Sequence, residues 1–417
     1  FLAWASPSRA VEIHRGCLAT SAAPVPPPSF DCAASVPRTA KGQWIWFRAP
    51  AAPTGERQAV TIRAMTFDTV KVVVRYADGV THSDALSRGD YRDRWAVGGR
   101  ILVEIPSRPA AVAEVTVGFF NAPMPYMLAA RLIPETSARQ RGSLIATLVG
   151  GSLALLLFSA FYNAALAIGS ARPVLFWHAA WAACVFLWAV FTLQLVLAIW
   201  PGLAGPPAHD IANVFACLAI SSYGMLLIGS LEDGMIDAWL RRLTIMVAVA
   251  ITAFGIANSA GPLIWQPGLH DIMRVLVLFS ASTAFVVLLI AIRRGSLAAR
   301  DMALTWTVPM LAVAWAMTGN PILTQDDGGY FTVLTVSALQ AIGLSVVIGR
   351  RLASAQRERE TAKARQDELQ RLAETDSLTG VFNRRGFVAR AEAALTEGEA
   401  ALVLLDIDRF KAINDNH

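Results

Sequence analysis

Charge is what this sequence has least of. Only 16% of its 417 residues are Asp, Glu, Lys or Arg, against roughly 25% in an ordinary soluble protein. A soluble enzyme of this length needs those residues on its surface, and a disordered chain or a coiled-coil rod needs more still, so all three are excluded. Cysteine is also scarce. There are four, with no C-x-x-C and no Cys/His cluster to suggest a metal site or a redox pair. Neither sign of charge dominates: 36 basic residues stand against 31 acidic, net +5, and no basic face points to nucleic acid. What the chain does have is apolar residues, 55% of the total, and that argues for a membrane protein.

The average covers three unlike regions. Residues 1–142 carry 17 basic and 11 acidic side chains, residues 143–349 only 7 and 8, and residues 350–417 carry 12 and 12. This order reads as a soluble domain, a membrane block and a charged soluble segment. The start Phe1-Leu2-Ala3-Trp4-Ala5 has the look of a signal-peptide remnant over residues 1–5, with a small-x-small cleavage pattern. Residues 6–142 are then expected to form an exported, periplasmic sensor domain. In an oxidising compartment Cys17 and Cys32 can pair, whereas Cys184 and Cys217 lie in apolar stretches and suit packing.

Within residues 6–142, short runs alternate with period two. They are Trp44–Phe47, Ala59–Met65, Val70–Tyr76 followed by the turn pair Asp78-Gly79, Ile101–Ile105 and Val115–Phe119. At least five strands at regular spacing predict an all-β, jelly-roll-like sandwich. Trp44, Trp46 and Trp95 are candidates to stack on a carbohydrate-like ligand, with core packing the more ordinary role for such residues.

Seven apolar stretches follow, at about 143–167, 174–199, 210–231, 243–260, 271–292, 302–319 and 330–349. Each is close to the ~20 residues that cross a bilayer. Loops after the first, third and fifth hold Arg172, Arg241, Arg242, Arg293, Arg294 and Arg300, and loops after the second, fourth and sixth hold no Lys or Arg. Positive loops stay inside, so the N-terminal domain is expected outside and the C-terminus in the cytoplasm of a bacterial inner membrane. Asn163, His178, Gln194, Asn213 and Gln340 are the polar residues of the spans, suited to interhelical hydrogen bonds or to lining a cavity. Nothing here resembles the midplane site of a transporter. An exported β domain followed by seven helices, with Phe161-Tyr162-Asn163, Arg172 and the aromatic group Phe176, Trp177 and Trp181, resembles the bacterial seven-transmembrane receptors with diverse intracellular signalling modules.

From Arg350 the chain becomes charged and helical. Leu352, Ala355, Ala362, Leu369 and Ala373 fall on a/d positions, interrupted by Arg359 and Gln366. Residues 350–375 are therefore a candidate short coiled coil, or a solvated helical linker. The run Asp376-Ser377-Leu378-Thr379-Gly380-Val381-Phe382-Asn383-Arg384-Arg385 precedes a helix expected at 383–396. Ala400–Leu405 is unbroken apolar, the pattern of a strand buried on both faces. It leads into Asp406-Ile407-Asp408-Arg409-Phe410-Lys411-Ala412-Ile413-Asn414-Asp415. Carboxylates at i and i+2 share one side of a strand and suit Mg²⁺, which takes one or two of them together with substrate phosphates. Lys411 can offset phosphate charge, and Asn414 offers both donor and acceptor to a base.

These two motifs at this spacing closely resemble the start of GGDEF domains, the diguanylate cyclases. The resemblance spans residues 376–417 and implies a nucleotide-cyclase-like α/β fold. It implies catalytic roles for Asp406 and Lys411, metal binding by Asp406 and the backbone of Ile407, and substrate contacts from Arg409, Phe410 and Asn414. It further implies GTP and Mg²⁺, and a homodimer that makes cyclic di-GMP. The segment ending at His417 corresponds to about the first quarter of such a domain, so by itself it is expected to be inactive. A receptor controlling a cyclase is the leading expectation. The alternative is a non-enzymatic relay whose degenerate GGDEF domain binds nucleotide or docks a partner. A histidine kinase would need a histidine in a dimerisation helix, and residues 350–417 offer only His417.

Overall fold

The alternating runs do form strands, and they pair to bury one face each. A computed structural model describes residues 11–50, 56–63, 67–91, 94–123, 125, 128–170, 172–259, 267–317, 328–397, 401, 403–406 and 408–416. Residues 1–5 lie outside them. The chain divides into two units, Phe1–Val346 and Val347–His417. The first unit opens with β1 (Val11–Glu12), β2 (Cys17–Ser21), β3 (Ala40–Pro50), β4 (Gln58–Arg63), β5 (Thr69–Tyr76), β6 (Thr81–Ser87), β7 (Trp95–Ala96), β8 (Arg100–Glu104), β9 (Val112–Ala122) and β10 (Ala130–Pro134).

They make two antiparallel sheets, ordered β1-β10-β4-β8-β7 and β2-β3-β9-β5-β6. Set aside the edge strands β2 and β7, and the remaining eight pair first with last and then inward: β1 with β10, β3 with β9, β4 with β8, β5 with β6. That nesting is a double Greek key, the expected jelly roll. Ile45, Phe47, Val72, Val74, Val117 and Phe119 from one sheet meet Val60, Ile62, Ile101 and Val103 from the other, all buried. Burial of each such side chain contributes about 1.5–3 kcal/mol. The Asp78-Gly79 pair closes the β5–β6 hairpin as expected, with Gly79 at φ +83° and the Tyr76 N–H donating to the Val80 carbonyl at 2.9 Å.

The tryptophans pack against protein. Trp44 and Trp46 project from the outer face of their sheet, yet both are buried. Trp46 lies across β9, where a Cβ on Gly118 would sit 2.4 Å from its ring. Its indole N–H donates to Ser21 Oγ at 3.0 Å, and Trp44 stacks on it. Over this face runs the proline-rich segment between β2 and β3. Lys71 Nζ donates to the Pro24 carbonyl at 2.9 Å, the Arg48 guanidinium sits 4.4 Å from the Phe30 ring centroid, and the Cys17–Cys32 disulfide closes the loop. Trp95 packs against the sandwich core. Of the two roles open to these three residues, packing, the more ordinary one, is what the structure shows.

Long helices follow: α1 (Glu135–Ser170), α2 (Pro173–Thr192), α3 (Pro206–Ser230), α4 (Ala238–Ser259), α5 (Pro267–Arg293), α6 (Leu297–Met317) and α7 (Gly328–Glu374). Among the described residues six of them, all but α6, are long and apolar enough to cross a bilayer. The sixth expected span falls on α6 up to Met317, its last residues lying outside the described set. Helices are the economical solution here because every backbone N–H and C=O must be satisfied inside lipid. At one end of the bundle Arg294 pairs with Asp237 at 3.0 Å, and Ser296 Oγ–H donates to Glu232. Arg241, Arg242, Arg293 and Arg300 lie in or beside the same loops. The sandwich sits at the other end.

Two expectations about the spans change. The second was expected to reach residue 199, but α2 stops at Thr192. Gln194 then takes a left-handed turn at φ +56°, and its Oε1 accepts the Gly205 N–H at 2.8 Å. Of the apolar residues beyond, Leu197 and Ala204 pack into the sandwich core, Leu195 packs against the helical core, and Ile199 and Trp200 are exposed. The last span and the charged linker were read separately and form one helix, α7. Gly118→Ala is expected to destabilise the sandwich by about 1–3 kcal/mol through overpacking against Trp46, seen as a lower urea midpoint. An unchanged midpoint would contradict this placement of the indole. Reducing the disulfide, which closes a 15-residue separation, should cost about 3 kcal/mol more in the same assay.

Candidate functional site

The second unit begins inside α7, whose charged end stops at Glu374. Ala362, Leu369 and Ala373 on this stretch are exposed, so this part of the apolar seam is uncovered in a single chain. The helix ends in a tight turn built by the first motif. Asp376 Oδ1 accepts three hydrogen bonds, from the Leu378 N–H (3.1 Å), the Thr379 N–H (2.9 Å) and the Thr379 hydroxyl (2.9 Å). The Gly380 N–H donates to the Asp376 carbonyl at 2.9 Å, and Gly380 sits at φ +71°, where a glycine has no Cβ penalty. The Asp376 N–H returns to the Val381 carbonyl at 2.8 Å.

Asn383 ties the turn to both helices. Its Nδ2 donates to the Ala373 carbonyl at 2.9 Å, at the end of α7. Its Oδ1 accepts the Gly386 N–H at 3.0 Å, capping the helix α8 (Arg384–Glu397). Gly386 is required at that point, because a Cβ there would lie 2.3 Å from the Glu374 carbonyl oxygen. Arg390 of α8 then stacks over the Phe382 ring at 4.2 Å. The roles of Thr379, Asn383 and Gly386 went unnoticed in the sequence reading. An Asn three residues before a Gly at a helix start was the available signal.

The electrostatics follow from these bonds. Donors from the Thr379 backbone, the Thr379 hydroxyl and the Leu378 backbone hold the Asp376 carboxyl below its ordinary value of 3.8. Its contribution to the turn is therefore full above that ordinary value and is lost as pH falls through the lower folded value.

Beyond α8 the structure differs from expectation. The strand expected at Ala400–Leu405 is not formed among the described residues, and Val403, Leu404 and Leu405 are strongly exposed. A strand buried on both faces exists only between neighbours, and no neighbouring strand is described in this unit. Asp406 and Asp408 follow, both exposed. Arg409 turns the chain at φ +61° into the short helix α9 (Phe410–Asn416), which carries Lys411 and Asn414 three residues apart on one face. Ile407 and His417 lie outside the described residues. Among the described residues no group of three or more His, Cys, Asp or Glu is placed to hold a metal. The donors present, two carboxylates at i and i+2, are hard oxygen ligands of the kind Mg²⁺ takes alongside phosphate and water.

Comparison with known families gives two matches. The family described as 7TM diverse intracellular signalling matches residues 145–351, and the diguanylate cyclase GGDEF domain matches residues 373–417. No curated protein matches the chain. Two outcomes test the turn. Asn383→Ala should cost about 1–2 kcal/mol by removing the cap, read as faster amide exchange at Gly386 and Phe387, with unchanged exchange contradicting the cap. A carboxyl NMR titration should place Asp376 below its ordinary value, and Thr379→Val should move it back up. A normal titration in the unaltered protein would contradict the bonding described.

Proposed function

Because a seven-transmembrane signalling domain is followed here by a GGDEF domain, we propose that the protein is an inner-membrane receptor controlling a cytoplasmic diguanylate cyclase. It joins two GTP molecules into cyclic di-GMP with release of two pyrophosphates. The observation that carries this reading is the pair of motifs, 376–385 and 406–415, at domain spacing, the first of them folded into a defined joint with α7. The arginine-bearing loops at the end of the bundle away from the sandwich support a periplasmic sandwich and a cytoplasmic C-terminus.

Each residue has a chemical task in this proposal. Asp406, with the Ile407 backbone carbonyl, holds Mg²⁺, which supplies charge neutralisation on the triphosphate. Arg409 and Phe410 offer backbone N–H groups to phosphate oxygens, and Lys411 offsets the charge that builds there. Asn414 reads the guanine edge with its paired donor and acceptor. The 3′-hydroxyl oxygen of each GTP forms a bond to the α-phosphorus of the other as the bond to pyrophosphate breaks. Two protomers must therefore face each other, and the uncovered seam positions Ala362, Leu369 and Ala373 of α7 suit a parallel pairing that sets their approach. Rate comes from positioning and charge stabilisation.

The test is cyclic di-GMP production from GTP by the full-length protein in membranes. Asp406→Ala should lower the rate about a hundredfold or more, and Asn414→Ala should act mainly through KM for GTP. Equal product from the Asp406→Ala variant would remove the metal assignment. No product from the unaltered protein would favour the relay reading.

A further inference from the structure

The sandwich and the bundle interlock, and one of their contacts falls on the helix that leaves the membrane. β10 ends at Pro134 and α1 begins at Glu135, with no residue between them. The α2–α3 connection enters the sandwich, where Pro201 comes so close to Gly89 that a Cβ there would lie 2.6 Å from its carbonyl oxygen. In return, the tip of the β7–β8 hairpin enters the bundle. Val97 packs against the helical core. Gly98, at φ +104°, lies so near α7 that a Cβ would stand 2.9 Å from Phe331 Cζ and 3.2 Å from Ile145 Cγ2. Gly99, at φ +70°, has nothing closer than 3.4 Å. Phe331 is buried and cannot swing aside freely. One residue earlier, the Arg63 guanidinium lies 4.5 Å over the Tyr330 ring, which also stacks on Trp188.

We infer that the β7–β8 hairpin tip is a built-in coupling element, through which the state of the sandwich reaches α7 at the Gly98–Phe331 contact. Of the elements that touch the bundle, this is the one easiest to move. β7 is an edge strand of two residues, whose strand pairing is limited to Trp95–Ile101 and Ala96–Arg100. β10, by contrast, lies between β1 and β4. Below the contact, α7 is tied to α1 by polar bonds inside the bundle. Ser152 Oγ donates to Thr335 Oγ1 (3.5 Å), Asn163 Nδ2 donates to Ser345 Oγ (2.9 Å), and Ser159 Oγ meets Ser345 Oγ (3.2 Å). Those bonds give α7 a defined register that a push at Phe331 alters. Part of the readout rests on the cyclase reading; the coupling itself does not.

The experiment compares Gly98→Ala, Gly99→Ala, Phe331→Ala and the double variant Gly98→Ala/Phe331→Ala in the full-length protein in lipid nanodiscs. Amide exchange is read over the hairpin and the first turns of α7, and cyclic di-GMP output is measured beside it. Both glycines have positive φ, so both alanines strain the backbone, but only the one at position 98 strikes α7. Gly98→Ala should speed exchange in α7 about tenfold and change output about fivefold or more. Gly99→Ala should leave both within about twofold, and Phe331→Ala should relieve the Gly98→Ala effect, as expected for residues in contact. Equal behaviour of the two alanines, or no relief by Phe331→Ala, overturns the proposal. If Gly98→Ala does not fold, Phe331→Ala alone decides: it should speed exchange in the hairpin, and unchanged hairpin exchange overturns the proposal. If no form makes cyclic di-GMP, the cyclase reading fails by itself and exchange still decides the coupling.

Discussion

The first unit depends on a β-sandwich standing on a helix bundle with no connecting segment. Domains in one chain ordinarily move against each other unless a large apolar interface stops them. Here β10 becomes α1 between two consecutive residues, and each partner inserts a loop into the other. That seating explains features which look unrelated. It makes α2 short, because the chain after Thr192 turns aside to give Leu197 and Ala204 to the sandwich core. It places Gln194 in a left-handed turn where its amide can hold the Gly205 backbone. It sets glycine at positions 89 and 98, where a Cβ would meet Pro201 or Phe331.

A second joint lies at the other end of α7. The residues around Asp376 are part of the run that resembles the start of a GGDEF domain, and in space they are a turn. One carboxylate collects three donors, one asparagine bonds to the ends of two helices, Gly380 takes a positive φ that favours glycine, and Gly386 stands where a Cβ has no room. Such a joint fixes how the helix meets the domain that follows it. The groups assigned to chemistry begin only at Asp406. In the proposed function the two motifs divide the work, the first mechanical and the second chemical.

Much of this was legible in the sequence because each level left its own period. Alternation in β3, β5 and β9 revealed the sandwich, and Asp78-Gly79 marked its hairpin. The edge strands β1, β2, β6 and β7 and the short inner strand β10 were missed because they are short or polar, as in Thr81-His82-Ser83-Asp84, and show no alternation. Spans were found from hydropathy, but hydropathy cannot distinguish lipid from another domain's core as the destination of an apolar residue. That is why the second span was read too long. The tryptophans were ambiguous for a related reason: stacking on a ligand and stacking across Gly118 need the same residues. Asp406, Lys411 and Asn414 stood out as candidates from type, spacing and family resemblance, whereas the tie from Asn383 to the end of α7 needed the position of Ala373, ten residues away. The Ala400–Leu405 strand shows the limit of local pattern, since a strand needs a neighbour that the pattern does not supply.

The central claim is that sandwich and bundle move as one piece, so that a change in the first is felt by α7. It is tested most directly by electron–electron distance measurement between spin labels at Ser83→Cys on β6 and Asp233→Cys in the α3–α4 loop. Cys184 and Cys217 would be replaced by alanine. Both label sites are exposed and lie outside the contacts described. A single narrow distance distribution in nanodiscs is the predicted result. A broad or two-peaked distribution would mean that the sandwich rocks freely on the helices, and would contradict the account.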